Sequence, residues 1–526
     1  MRSSAQSRSG EAGWDVVVVG GGHNALTAAA YLGRAGRRVL VLERAGHVGG
    51  AAVSEAPFPG VAARLSRYSY LVSLLPRQIV DDLGLDVRLA RRSVTSYTPD
   101  PADPGRGLLV TDDPEATRRS FARVGAAADH PGWATLYAGT ARLAAAVFPT
   151  LTRPLPTRAE LRERVGDDAV WTAFVERPLG TTITASLHSD LVRGVAATDG
   201  LIGTLTGLDD PSLRANRCFL YHVIGNGTGR WDVPVGGMGT VTDALERAAR
   251  RAGARIVKGA EVTAVDPGGR VAYTHGGEER AAHGARVLAG VAPWALEQLC
   301  PGACPGPRPE GAQVKVNLVL RRLPALHDPA VPPSAAFAGT LHVNEAYTQL
   351  DRAHAAARDG RVPEPLPCEA YCHSLTDPTI LSPELAASGA HTLTVFGLQV
   401  PGAAAPDQAD AWRRRLERAV LGSLRSVLAE PVEDLLLTDA AGRPCIETRT
   451  TLDLEQTLGM PGGHIFHGDL AWPFLDDGAP RDTPARRWGV ATEHPRVLLC
   501  GAGAVRGGGV SGIGGHNAAM AVLAGA

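Results

Sequence analysis

The first strong pattern in the chain is Val16-Val17-Val18-Val19, a continuous β-branched run that predicts a strand buried on both faces. After the glycines at 20–22, Ala25, Ala28, Ala29 and Leu32 recur at i, i+3, i+4 and i+7, so a helix is expected that ends near Gly36. Residues 38–42 (RVLVL) then read as a second strand closing on Glu43. Strand and helix periods return at 238–265. Val241, Leu245 and Ala248 share one helical face, Gly253 stops the helix, and 254–257 and 261–265 read as strands. Between these regions, 133–148 and 159–174 have the spacing of amphipathic helices, and 314–320 and 391–399 that of strands. Segments 301–311 and 401–406 are Pro/Gly-rich loops, and Gly225 to Gly229 reads as a connecting loop. Near the carboxyl end a strand at 496–500 runs into glycines at 501–512, with a further helix from about Gly515.

The turn after the first strand carries chemistry. Gly20-Gly21-Gly22-His23-Asn24-Ala25 is a G-x-G-x-x-A sequence placed between a strand and a helix. Gly20 permits the tight turn, Gly22 lets backbone N–H groups approach a pyrophosphate, and Ala25 is small enough for helix–strand packing. The helix amino terminus faces the phosphates with its partial positive charge. Glu43 ends the second strand, where a carboxylate binds both ribose hydroxyls and repels a 2′-phosphate, favouring FAD or NAD over NADP. A second Gly-Gly follows at once in Arg44-Ala45-Gly46-His47-Val48-Gly49-Gly50-Ala51-Ala52. It brings another loop to the pyrophosphate, as in flavoproteins of the glutathione-reductase structural superfamily, and points to FAD. The expected cofactor-binding residues here are Gly20, Gly22, His23, Asn24, Ala25, Glu43, Arg44, Gly49, Gly50, Ala51 and Ala52.

Composition narrows the class. At 526 residues the chain is long enough for two domains, and 44% hydrophobic with 20% charged residues is ordinary globular composition. A net charge of −1 gives no electrostatic footprint for nucleic acid. Lysine occurs only at 258 and 315. Seven cysteines in an odd, sparse set do not read as a disulfide framework. Cys300/Cys304 and Cys368/Cys372/His373 lack common zinc spacing, so no metal is expected. Residues 1–13 are small and polar, and are expected to be a disordered extension without a secretory signal. No stretch approaches the ~20 apolar residues of a membrane span. A reducing compartment fits: the cytoplasm, or in a eukaryote the mitochondrial matrix.

Seven segments together resemble the phytoene-desaturase-like flavoproteins across nearly the whole chain. They are GGGHNALTAAAYLGRAG with GGAAVSE, SRYSYLVSLLPRQI (66–79), SLHSDLVRGVAATDGLIGT (186–204), WDVPVGGMGTVTDAL (231–245), CHSLTDPT (372–379), TLGMPGGHIFHGDL (457–470) and GGGVSGIGGHNAAMA (507–521). The resemblance implies an α/β fold: a Rossmann-type, glutathione-reductase-like FAD-binding domain from 14–70, 226–300 and 440–526, with an inserted α+β substrate or cap domain from 71–225 and 301–439. It places the main chain at Val262 against the adenine, and Gly501, Gly509, Val510 and Gly512 around the flavin ring. His464 and His467 are the candidate catalytic residues, either of which could accept a proton near neutral pH, with structural hydrogen bonding the alternative for each; His464 stands where relatives commonly have Asn. His222 and Arg230 are expected beside the cavity, and Trp472 and Phe474 are considered as a substrate cage. Val505-Arg506 replaces a His-Pro found in relatives. A dithiol reductase is disfavoured, because no cysteine precedes Cys218 and no second dinucleotide fingerprint follows. The implied activity is an FAD-dependent dehydrogenase or desaturase. Hydride would pass from an organic, largely apolar substrate to flavin N5, and electrons onward to a quinone, oxygen or another acceptor. A flavin amine oxidase, a redox-neutral isomerase and a non-catalytic flavin-binding protein are the alternatives. The sequence leaves oligomeric state and peripheral membrane contact open.

Overall fold

The computed structural model describes residues 13–402 and 406–525. Residues 1–12 of the expected disordered extension, and 403–405 of the expected loop at 401–406, lie outside the described residues.

The amino-terminal pattern folds as a strand–helix–strand unit: β1 (Trp14–Val19), α1 (His23–Arg34) and β2 (Val39–Glu43). β1 is the centre of a seven-stranded sheet. It pairs in parallel with β2 on one side and with the strand Glu278–Ala289 on the other. Arg255–Lys258 extends the sheet beyond β2, and Val497–Leu499 joins Glu278–Ala289 in parallel. Val16 to Val19 are buried against Ala28, Leu32, Val241 and Leu245, which explains the continuous apolar run. The helix Gly239–Arg251 packs on α1, and the helix Ile513–Ala524 crosses α1 closely. Gly515 makes that crossing possible, because a Cβ there would sit 1.8 Å from the carbonyl oxygen of Asn24.

A second seven-stranded sheet runs Ile446–Arg449, Val314–Leu320, His391–Gly397, Cys368–Tyr371, Thr340–Val343, Val94–Asp100 and Asp103–Thr111. Along Val314–Leu320, residues 314, 316, 318 and 320 pack against Leu416, Val420 and Leu424 of the helix Ala409–Arg425. Lys315, Asn317 and Val319 face the other way. The strand Ile446–Arg449 pairs with Val314–Leu320, although it lies in a segment expected to build the cofactor sheet. Its pairing partner is set by contacts more than a hundred residues away, which local pattern does not encode.

Helices between 114 and 223 form a third core around Trp171, Phe174 and Phe219. The helix expected at 159–174 is broken. Arg158–Val165 stops at Gly166 in the left-handed region (φ 64°), and Asp167 caps a new turn by accepting from the N–H groups of Ala169 and Val170. Arg506, in place of the relatives' histidine region, is buried and ties the carboxyl-terminal loop to this layer. It donates to the carbonyls of Thr150, Arg153 and Trp488. Among the described residues no helix is long and apolar enough to cross a membrane.

Candidate functional site

One cavity of about 1390 Å³ runs from the turn after β1 to the face of the second sheet. That exceeds the roughly 300–1,000 Å³ usual for one small ligand, so there is room for a dinucleotide and a substrate together.

At its amino-terminal end the backbone is bare. Gly22 starts α1 with no side-chain cap, leaving the first helical N–H groups free for an anion. A Cβ at Gly22 would meet no protein atom within 4 Å, so the space beside it belongs to the cavity. Gly20 has φ +90°, a conformation that disfavours a side chain. The Glu43 carboxylate accepts from the N–H of Gly21 at 2.6 Å and from that of Ala45 at 2.7 Å. Each oxygen keeps a further lone pair for a ribose hydroxyl. A bare helix start, an open glycine and an acid ending β2 are the donor and acceptor set an FAD adenylate half requires, so the residues fit that group.

The carboxyl-terminal loop closes over this end. His23 donates from Nε2 to the carbonyl of Gly509 (3.1 Å), and Asn24 Nδ2 donates to that of Gly507 (3.3 Å). Of the expected cofactor residues, Gly20, Gly22, His23, Asn24, Ala25, Glu43, Arg44, Gly50, Ala51, Val262, Gly501, Gly509 and Val510 line the cavity. Gly49, Ala52 and Gly512 do not; they serve the packing behind it. Gly49 bonds to Gly21, Ala52 accepts from Thr242, and Gly512 sits against Thr27.

The two candidate catalytic histidines separate. His467 lines the cavity, while His464 lies behind it, its Nδ1 accepting from the N–H groups of Phe466 and Gly468. Burial pushes both imidazoles down to about 4, so neither titrates near neutrality as expected. His467 is a neutral ring whose Nδ1 has no hydrogen-bond partner among the described residues. His222 and Arg230 do line the cavity. Trp472 and Phe474 do not; they stack on each other (5.7 Å) within the helical core.

The far end has a floor that the sequence reading missed. Arg449, Lys315, Phe396, Glu369 and His342 stand in register on neighbouring strands of the second sheet and all line the cavity. Asn317, Thr394, Tyr371 and Thr340 form the next row. Lys315 is buried, donating from Nζ to the carbonyls of Ser66 (2.6 Å) and Tyr68 (2.8 Å), with its nitrogen 4.6 Å from the Tyr70 ring centre. Burial holds its ammonium well below the usual lysine range. Glu369 accepts from Thr198 (3.2 Å) and Tyr371, and His342 meets Glu345 at 2.6 Å. Burial raises both glutamates, Glu369 to about 8, and lowers His342, so the cluster is close to neutral at pH 7. Among the described residues, His342, Glu345 and Glu369 are also the group whose donor atoms, all within 4.8 Å of one another, could share a cation. The signal was present: Lys315, one of two lysines in the chain, and Asn317 interrupt the apolar strand VKVNLVL at alternate positions.

Residues 18–77 match the NAD(P)-binding Rossmann-like domain family. An uncharacterised protein of Mycobacterium tuberculosis is 57% identical over 523 residues, 97% of each chain. Pyridine nucleotide-disulfide oxidoreductase domain-containing protein 2 of Rattus norvegicus is 30% identical over 568 residues, covering 97% of this chain and 93% of its own. In fold, the chain is similar to cyclohexylamine oxidase from Brevibacterium oxydans IH-35A. The TM-score is 0.55 at 18% identity, over 97% of this chain and 98% of that one.

Proposed function

Because the chain belongs to the pyridine nucleotide-disulfide oxidoreductase domain-containing protein 2 family of FAD-dependent oxidoreductases, we propose that it binds FAD along the Gly20–Gly22 turn and oxidises an organic substrate held over the sheet floor. FAD, when bound, supplies a hydride acceptor at N5. The protein binds and orients. Helix-start N–H groups at Gly22 and His23 hold the pyrophosphate, Glu43 holds the ribose, and the main chain at Val262 meets the adenine. The loop at Gly501, Gly509 and Val510 lies against the ring, and the amino end of Ile513–Ala524 favours negative charge there. His467 is a neutral hydrogen-bonding wall of the site rather than an acid.

The substrate end supports a dehydrogenase or desaturase acting on a molecule with an apolar body and a polar group. Trp133, Tyr137, Ile202 and Phe396 offer apolar walls, whereas Glu369, Tyr371 and His342 offer a hydrogen-bonding floor. This modifies the largely apolar substrate expected from the resemblance. Electrons leave to a quinone, oxygen or another acceptor.

The observation that carries this reading is the continuity of one cavity from the dinucleotide turn to the polar floor. The test is the absorption spectrum of the purified protein before and after anaerobic addition of candidate substrates. Flavin bands near roughly 375 and 450 nm that bleach with a substrate are expected. No flavin bands after reconstitution with FAD would overturn the reading. Bleaching by amines with release of hydrogen peroxide would reassign the reaction to amine oxidation.

A further inference from the structure

Arg92 stands in the segment leading into the strand Val94–Asp100, on the wall of the cavity above the sheet floor. Its Nε donates to the carbonyl of Trp231 (3.1 Å) and its Nη1 to the Thr340 hydroxyl (3.0 Å). These bonds fix the guanidinium plane but leave Nη2 without a protein partner among the described residues. No carboxylate among them comes within the 4 Å of an ion pair, in contrast to Arg67 and Arg449, which share Glu447. Arg92 is half-buried, and the Asp232 and Asp199 carboxylates that line the same cavity act on it from beyond ion-pair distance, so its Nη2 edge remains available to a ligand. Glu369, the floor carboxyl that also acts on Arg92, is engaged by Thr198 and Tyr371 rather than by the guanidinium.

We propose that Arg92 is the anchor for a carboxylate carried by the substrate, making the substrate an organic acid with an apolar body. This rests on the reading of the cavity as the oxidoreductase site and names the substrate class of that site. A planar carboxylate presents two oxygens to the fork of Arg92, whose donors are already oriented by Thr340 and Trp231. The apolar body then lies between Trp133, Tyr137 and Phe396, which line the same space.

The test is binding, so it does not depend on turnover. Protein loaded with FAD is titrated with phenylacetate, 3-phenylpropionate, 4-phenylbutyrate and octanoate, and with the amide and amine matching each. Readouts are the perturbation of the flavin spectrum and the fluorescence of the tryptophans. At least one carboxylate is expected to bind at least about 30-fold more tightly than its amide or amine, and Arg92→Met is expected to abolish that preference. Arg92→Lys keeps the charge without the fork and should retain part of it. Thr340→Val removes a bond that fixes Arg92 but keeps the guanidinium. It should keep carboxylate preference, which distinguishes anchoring from a merely structural role. Equal binding of amide and carboxylate, preference for an amine, no binding by any probe, or full carboxylate preference in Arg92→Met would each overturn the proposal. Failure of FAD loading, seen first in the spectrum, would instead refute the cofactor assignment.

Discussion

Replacing Gly22 with alanine separates what the turn does for folding from what it does for the cofactor. Gly22 has φ −67° and ψ 167°, which any residue adopts, and its added Cβ meets no protein atom within 4 Å. In the cofactor-free protein two small effects oppose each other. Alanine is a poorer helix start than glycine by up to about 1 kcal/mol, while the less flexible unfolded chain returns about 0.4–1 kcal/mol. The net change in unfolding free energy is therefore within about 1 kcal/mol. The same methyl group projects into the cavity where a pyrophosphate must approach the helix start. Loss of even two charge-assisted hydrogen bonds, at about 1.5 kcal/mol each, weakens FAD binding by about 100-fold. The assay is paired: denaturant unfolding of FAD-free protein, and titration of FAD by quenching of its fluorescence. Wild-type FAD affinity in Gly22→Ala would refute the placement of the phosphates, and a loss of several kcal/mol without FAD would show that the glycine serves packing. Gly515→Ala is the contrasting control. Its Cβ would lie 1.8 Å from the Asn24 carbonyl, so it should fail in folding rather than in cofactor affinity.

Further outcomes are expected. Glu43→Ala removes the acceptors for Gly21 and Ala45 as well as the ribose contact, and should weaken FAD by tenfold or more on the same titration; unchanged affinity would place the ribose elsewhere. His23, His464 and His467 are each held near 4 in the folded protein against an ordinary 6.5. The unfolded chain then takes up protons first, so their contribution to stability is whole above pH 6.5 and is lost as pH falls toward 4. Each costs about 2 kcal/mol by pH 5. His464→Asn offers an acceptor to the same N–H groups without titrating, and should flatten the fall in thermal midpoint between pH 7 and 5; an unchanged slope would mean that His464 ionises freely. Lys315→Met leaves the carbonyls of Ser66 and Tyr68 without a donor. It should cost about 1–3 kcal/mol in urea unfolding, and a neutral result would show that water replaces the ammonium.

The dinucleotide end was legible because its signals are local. Four consecutive valines, a glycine turn, a helical period and an acid occur within thirty residues, and each constrains the next. The cavity floor was not, because period-two polar residues on a strand ordinarily mark a face in water. Here they mark a face turned to an enclosed space, and His342, Glu369, Phe396, Lys315 and Arg449 come together only when five strands from distant parts of the chain align. Thr340–Val343 and Cys368–Tyr371 have only four residues each, too few for a pattern. The two histidines were singled out by residue type and by a segment that the resemblance places near the flavin. Sequence gives no measure of desolvation, which is what removes both from the neutral range.

The bonds from His23 and Asn24 to Gly509 and Gly507 also dictate an order of events during synthesis. The glycine turn leaves the ribosome early, yet the loop that covers it and the helix Ile513–Ala524 that packs on α1 emerge almost five hundred residues later. Until then, α1 exposes the apolar face that Ala518 and Ala519 will cover. The cover of the glycine turn is therefore complete only once the carboxyl-terminal segment has been made. A truncation within 507–524 leaves the fingerprint intact while removing the lid and the neighbour that make it a binding site.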